Sequence, residues 1–237
     1  MARKKKQTVL GTVITVVVVA AIIWMKVQET RHEKQREGSL RDSDVEMTEP
    51  SSDDGKLLSA VRLTSNRFKV MEDCKLIDNR RNDGDSFHVQ TPDGKEEVRL
   101  YFVDAPESAA REYGGGENNH KRIADQGRSL GGLNQHQTTQ VGVEAKLFAK
   151  KLLAGKKFTI ATTSEKVYRS HRIYAYVIVP YEGQDRYLHE LLVLRGLGRI
   201  HTKPMTMPDN TSGNRQRDRL KKIEQYAKSK KYGAWGL

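Results

Sequence analysis

The residue types able to do chemistry crowd into one stretch of this chain: Asp83-Gly84-Asp85, then Arg99, then Asp104-Ala105-Pro106-Glu107. Asp83 and Asp85 lie two apart and so face one way at a strand start, with Asp83 supporting the ligands from behind. Gly84 lets the backbone pass close to an ion. Asp85 and Asp104 offer paired hard oxygen ligands for calcium or magnesium, with the Ala105 backbone carbonyl as a third. Without a cation, two such buried carboxylates would repel at high cost. Glu107 follows Pro106, which fixes the turn, and is the natural general base to draw a proton from an attacking water. Arg99 and, further on, Arg172 can grip phosphate oxygens in a forked geometry and stabilise the charge that builds on a five-coordinate phosphorus. Arg169 is a rival for the second role. A hard cation, two guanidiniums and a base amount to equipment for phosphodiester chemistry.

The elements that must position these groups read as strands first and helices later. Residues 67–77 alternate around Phe68, Val70 and Leu76, residues 86–90 form a short strand, and Thr91-Pro92-Asp93-Gly94 turns the chain into a partner strand over 96–103. Residues 157–162 and 172–179 make a second pair. Helices are expected to end at Leu153 before Gly155 and at Leu194 before Gly196, each glycine standing where a left-handed cap is wanted. A third helix over 214–230 places Leu220, Ile223 and Ala227 on one face. The pattern is α+β: a five-stranded Greek-key barrel of the oligonucleotide-binding type with about three packed helices. One difficulty is geometric. Arg99 and Asp104 are five apart, so a regular strand would point them to opposite faces, and the strand must end, twist or bulge between them.

Four separated segments carry a resemblance. Asp83 to Val89, Val98 to Glu107, Arg172 to Tyr176 and His189 to Leu197 together resemble the staphylococcal nuclease (thermonuclease) family, over about residues 68–235. The resemblance implies a metal-dependent endonuclease for DNA or RNA, most simply with calcium. It also implies Asp85, Asp104 and the Ala105 carbonyl as ion ligands, Glu107 as base, and Arg99 and Arg172 as phosphate-binding arginines. This chain departs from the family pattern in having Ala105 where threonine is usual. It also lacks counterparts of the base-packing tyrosines around Ser170-His171 and in residues 200–204. An insertion of about thirty residues, near 109–140, follows Glu107 directly. It contains Tyr113-Gly114-Gly115-Gly116, a helix expected over 117–130, Gly131-Gly132 as a stop, and Asn134 as cap of a helix running into Leu153. The insertion is expected to wall one side of the cleft and limit which substrates enter. His120 and His136 lie within it, without the spacing of a zinc site.

The chain has 237 residues and a net charge of +12. Residues 1–56 hold ten Lys/Arg against nine Asp/Glu, so all but one of those net charges belong to the globular part. That favours a nucleic-acid partner over lipid as the source of the basic bias. Cys74 is the only cysteine, which excludes an intrachain disulfide and leaves a small buried residue. Residues 1–6 are basic, and the uncharged run from Thr8 to Met25 would span about 27 Å as a helix, close to a bilayer's hydrocarbon thickness. Residues 7–26 are therefore read as a transmembrane signal anchor, with the N-terminus cytoplasmic and the domain extracytoplasmic. Cleavage near Val19-Ala20-Ala21 would instead release it as a soluble exported form. Residues 27–60 are charged and apolar-poor, the composition of a flexible stalk; residues 61–237 are the nuclease domain. No protein partner is evident, and a monomer is expected. A silent nucleic-acid-binding scaffold and a surface adhesin for anionic polymers are the competing classes.

Overall fold

In the computed structural model, residues 19–21, 23–28, 31 and 54–237 are described. The chain divides into two units, with the boundary after Ser51. In the first, residues 19–21 and 23–28 are helical, and Val19, Ile23, Trp24 and Met25 are exposed. Among the described residues no helix is long and apolar enough to cross a membrane. Most of the expected span at 7–26 and most of the expected stalk lie outside the described residues.

The second unit begins earlier than residue 61. The short helix α1 (Asp54–Leu57) and the residues after it pack onto the barrel instead of closing the stalk. Leu58 is buried, and the Ser59 N–H and hydroxyl donate to the carboxyl of buried Glu190 at 2.7 and 2.6 Å. The charged tract before it hid this: the segment is held by Leu58 in the core, by Leu57 and Val61 packed against it, and by hydrogen bonds to Ser59 and Gly55.

Five strands close into a barrel: β1 (Lys69–Leu76), β2 (Ser86–Thr91), β3 (Gly94–Leu100), β5 (Phe158–Thr162) and β6 (Ile173–Tyr181). β1 pairs antiparallel with β2 and β5, β2 with β3, and β5 with β6. The ring is completed by a parallel pairing of β3 with β6, Val98 opposite Ile173 and Leu100 opposite Ala175. Two further pieces were not foreseen. β7 (Gln184–Tyr187) returns from β6 through Glu182-Gly183, both at positive φ, as a tight hairpin requires. A two-stranded ribbon joins β4 (Val103–Asp104) to β8 (Arg199–Ile200). Alternating side chains such as Val89, Val98, Leu100, Ile160 and Val177 fill the interior. Cys74 is fully buried, its thiol donating to the Met71 carbonyl across a bulge in β1.

Helices α2 (His120–Ser129), α3 (Gln135–Leu153), α4 (Leu188–Leu194) and α5 (Gly213–Lys230) pack outside the barrel. α3 starts with the expected cap: Asn134 accepts from the Gln137 N–H, while the Gln137 side chain accepts from the Asn134 N–H. α2 is shorter than expected because residues 117–119 are used otherwise. Asn118 bridges to Glu112, and the Asn119 side chain ties the loop together at the Arg111 N–H (2.7 Å) and Ala109 carbonyl (2.9 Å) instead of capping the helix. α5 buries Leu220, Ile223 and Ala227 as its spacing predicts.

Candidate active site

Arg99 lies near the end of β3, directly opposite Ser86, the first residue of β2. Asp85 precedes that strand, and its carbonyl accepts from the Leu100 N–H at 2.9 Å. β3 then stops. Phe102 takes a left-handed backbone (φ 67°) between β3 and β4, turning Asp104 to the side that Arg99 faces. Such a conformation is costly for a bulky residue. It is held here by the Phe102 N–H donating to the Lys203 carbonyl, and by the Phe102 carbonyl accepting from His201. The odd spacing of Arg99 and Asp104 is thus resolved by an ending, not a bulge.

Three of the expected groups converge around the Arg99 guanidinium. Its Nη2 lies 2.6 Å from Asp104 Oδ1 and 3.2 Å from Asp85 Oδ2, while Nη1 reaches Asp85 Oδ1 and the Ser86 hydroxyl, each at 3.3 Å. Arg172 comes in from the start of the parallel partner strand, and its Nη1 donates to the same Ser86 hydroxyl at 3.1 Å. The two arginines therefore meet at one oxygen. Arg169, the rival, lies instead over the ring of exposed Tyr168, 5.3 Å from its centre. Asp83 does not join the Asp85–Asp104 pair directly: its carboxylate accepts from the Gly84 N–H in its own loop.

Close backbone approaches fix these positions. A Cβ at Gly84 would stand 2.7 Å from the Cβ atoms of both Ala105 and Ala145, so the Asp83–Asp85 loop reaches the site only without a side chain there. At Gly142 a Cβ would stand 2.6 Å from the Pro106 carbonyl oxygen, so α3 lies directly on the turn that carries Glu107.

Sequence reasoning missed three partners. Asp104 Oδ1 accepts from Arg99 and from Arg122 Nη2 (2.8 Å), and its Oδ2 from Gln126 Nε2 and Arg199 Nε, both at 2.9 Å. Arg122 Nε also pairs with Glu107 Oε1 at 2.7 Å. The Gln126 side chain further donates to the Ala105 carbonyl at 3.1 Å and accepts from the Glu107 N–H at 3.0 Å. Arg122 and Gln126 are i and i+4 on α2, a spacing that puts both on one helix face and was the available signal. Arg199 faces Asp104 across the β4–β8 ribbon, a pairing of distant segments that no local pattern announces. Residues of this segment therefore reach into the site. His120 and His136 are exposed.

The electrostatics follow from burial and neighbours. Burial pushes the Asp83 carboxyl up to about 7, reinforced by Asp85 and Glu107. Asp85 is likewise raised, by burial first and then by Asp104, against the pull of Arg99. Burial would raise Asp104 too, but Arg122, Gln126, Arg99 and Arg199 outweigh it and hold that carboxyl below its usual range. Among the described residues no three Asp, Glu, His or Cys side chains gather as a ligand cluster. The donor set that fits a hard cation is two carboxylates and one carbonyl. Asp85 and Asp104 each bring an oxygen to the same Arg99 nitrogen, so the two carboxylates converge on one positively charged point.

A family model described as staphylococcal nuclease homologue matches residues 97–236. The match begins beyond Asp83 and Asp85 and takes in Arg99, Asp104, Glu107, the insertion and Arg172. No curated protein matches the chain.

Proposed function

Because the chain belongs to the staphylococcal nuclease homologues, whose barrel serves as a nuclease-type or nucleic-acid-binding module, we propose that it hydrolyses phosphodiester bonds of DNA or RNA. Glu107 acts as general base toward the attacking water. Arg99 and Arg172 hold the phosphate oxygens and stabilise the charge that develops on them. The observation that carries this reading is the meeting of the Arg99 and Arg172 guanidiniums at the Ser86 hydroxyl, from two strands that touch only where the barrel closes. Two forks aimed at one oxygen are what a single phosphate group requires.

Asp85, Asp104 and the Ala105 carbonyl would hold the cation, with calcium the ion best matched to such oxygen donors and magnesium the second choice. When bound, it would supply positive charge to the phosphate oxygens. Whatever the ion, the protein's own residues orient the phosphate, place the base and exclude water from one side. Buried Gln126 does the second of these by accepting from the Glu107 N–H.

Plasmid, single-stranded DNA and RNA degradation with calcium, magnesium or chelator, on wild type and Glu107→Gln, tests the reading. Cleavage that needs an added ion and falls by about 10²–10⁴ in the variant is expected. Full activity in chelator rejects the metal, and no activity with any ion leaves a binding module without turnover. That second reading has its own support, since all four acceptor positions of Asp104 are taken by protein donors. The same proposal sets residues 7–26 across a membrane, with the monomeric nuclease unit outside the cytoplasm, on the strength of the basic cluster ahead of the apolar run. Protease added to intact cells should then remove the nuclease unit.

A further inference from the structure

We propose that Arg122, carried on the inserted helix α2, is a built-in competitor for the cation at Asp104, and so sets how tightly the site takes a divalent ion. The inference rests on the cation reading above and concerns this chain's own residues.

The argument is an accounting of acceptor positions. A carboxylate offers about four lone-pair sites. Those of Asp104 go to Arg99 and Arg122 on Oδ1, and to Gln126 and Arg199 on Oδ2. An ion can use this carboxylate only after one donor leaves. Arg99 is held by Asp85 as well as Asp104, and its side chain is 10% exposed. Arg199 is equally enclosed and also donates to the Asp125 carbonyl and the Ser129 hydroxyl. Gln126 is fully buried, with further bonds at Ala105 and Glu107. Arg122 alone among the four has a half-exposed side chain, at 44%. A guanidinium on a long stem can swing toward water at small cost, whereas the other three cannot move without leaving buried groups unpaired.

Arg122 also holds Glu107 through Nε. Its departure from Asp104 Oδ1 need not break that second contact, since the two use different nitrogens. The insertion thereby links two events at one residue: the freeing of a ligand oxygen and the orientation of the base. Arg122 is a positioning residue in this scheme, acting through Asp104 and Glu107.

The test is calcium binding by isothermal titration, with terbium luminescence as a second probe, on the full chain as wild type, Arg122→Gln and Arg122→Lys. Removing a unit positive charge beside the ion site is expected to tighten calcium binding by about tenfold or more in Arg122→Gln. Arg122→Lys keeps the charge and should stay near wild type. In cleavage assays Arg122→Gln should need less calcium for half-maximal rate while its kcat falls, because Glu107 loses its charged partner and keeps only Asn119 and Gln126. Unchanged or weaker calcium binding in Arg122→Gln overturns the inference, as does equal tightening in Arg122→Lys. If Arg122→Gln does not fold, the wild-type chain decides alone: the Arg122 Nη–H resonances, identified by their loss in Arg122→Lys, must shift as calcium is added, and static resonances overturn the inference. If no chain binds calcium, the inference falls with the cation reading. If wild type binds and cleaves but Arg122→Gln shows the same affinity, only the inference falls.

Discussion

Arg99 and Arg172 share a hydroxyl but not an environment, and that difference is measurable. Arg99 is enclosed between two buried carboxylates, so Arg99→Ala leaves Asp85 and Asp104 facing each other with one counter-charge fewer. It should cost about 3–5 kcal/mol in urea unfolding as well as activity. Arg172 is half-buried and bonds only hydroxyls among its side-chain partners, Ser86 and Ser170. Arg172→Ala should leave the unfolding curve within about 0.5 kcal/mol of wild type while lowering kcat/KM by about 10²-fold or more. Outside the site, His189 is buried among Phe102, Tyr176 and Tyr187, and burial pushes its imidazole down from 6.5 to about 3. Gln216 Nε2 lies 3.1 Å from its Nε2 and also donates to Glu190, which leaves the proton on a buried, unpartnered Nδ1. A depressed folded pKa means the unfolded chain takes up the proton first, so stability is lost as pH falls from about 6.5 toward 3. Each unit of that interval is worth about 1.4 kcal/mol. His189→Phe should flatten the slope of stability against pH in this window, measured as urea midpoints at pH 7 and pH 4.5. The grouping of Asp85, Arg99, Asp104 and Glu107 was legible in the sequence, because they sit close along the chain. Ser86 and Arg199 were not, because hydroxyls are common and a cross-strand partner far along the chain leaves no local trace.

Helix α3 shows how an element can serve the site without contributing a reacting group. Its buried face includes Val141, Gly142, Ala145, Phe148 and Leu152, and the small residues let it press on the turns that carry Glu107 and Asp85. Gly142→Ala would drive a methyl group into the Pro106 and Glu107 carbonyls. A loss of about 1–3 kcal/mol in thermal or urea unfolding is expected, together with a fall in kcat at unchanged substrate binding, since it is the base that is displaced. The start of this helix was legible because Asn134 and Gln137 form a capping box that needs only local sequence. The start of α2 was misplaced because Asn119, a good cap by type, is spent on the loop at Ala109 and Arg111. β8 and β7 escaped notice because strands of two and four residues have no periodicity to read.

At the scale of the whole molecule, the barrel depends on the chain that leads into it. Arg186 donates to the carbonyls of Gly55 and Ser59, Tyr226 to Asp54, and Ser59 to Glu190, so the segment before β1 is clasped from β7, α4 and α5. Chains beginning at Ser52 and at Val61 can be compared by urea unfolding. One beginning at Val61 strips two of the three donors from the Glu190 carboxyl and should lose about 3–5 kcal/mol, read from the same urea curves. The five-stranded barrel itself was legible from alternation and turns. Its clasp was not, because two leucines and a valine at the end of a charged tract are too few to give a periodic pattern.

The distance along the chain between Asp104 and Arg199, 95 residues, has a consequence during synthesis. While the ribosome is still adding residues beyond the insertion, Asp104 has neither its cross-strand arginine nor the β6 strand that brings Arg172 to Ser86. The nascent polypeptide therefore emerges with its acidic pair half-compensated and Ser86 without its second arginine, and the cleft is completed only once Arg199 has been added.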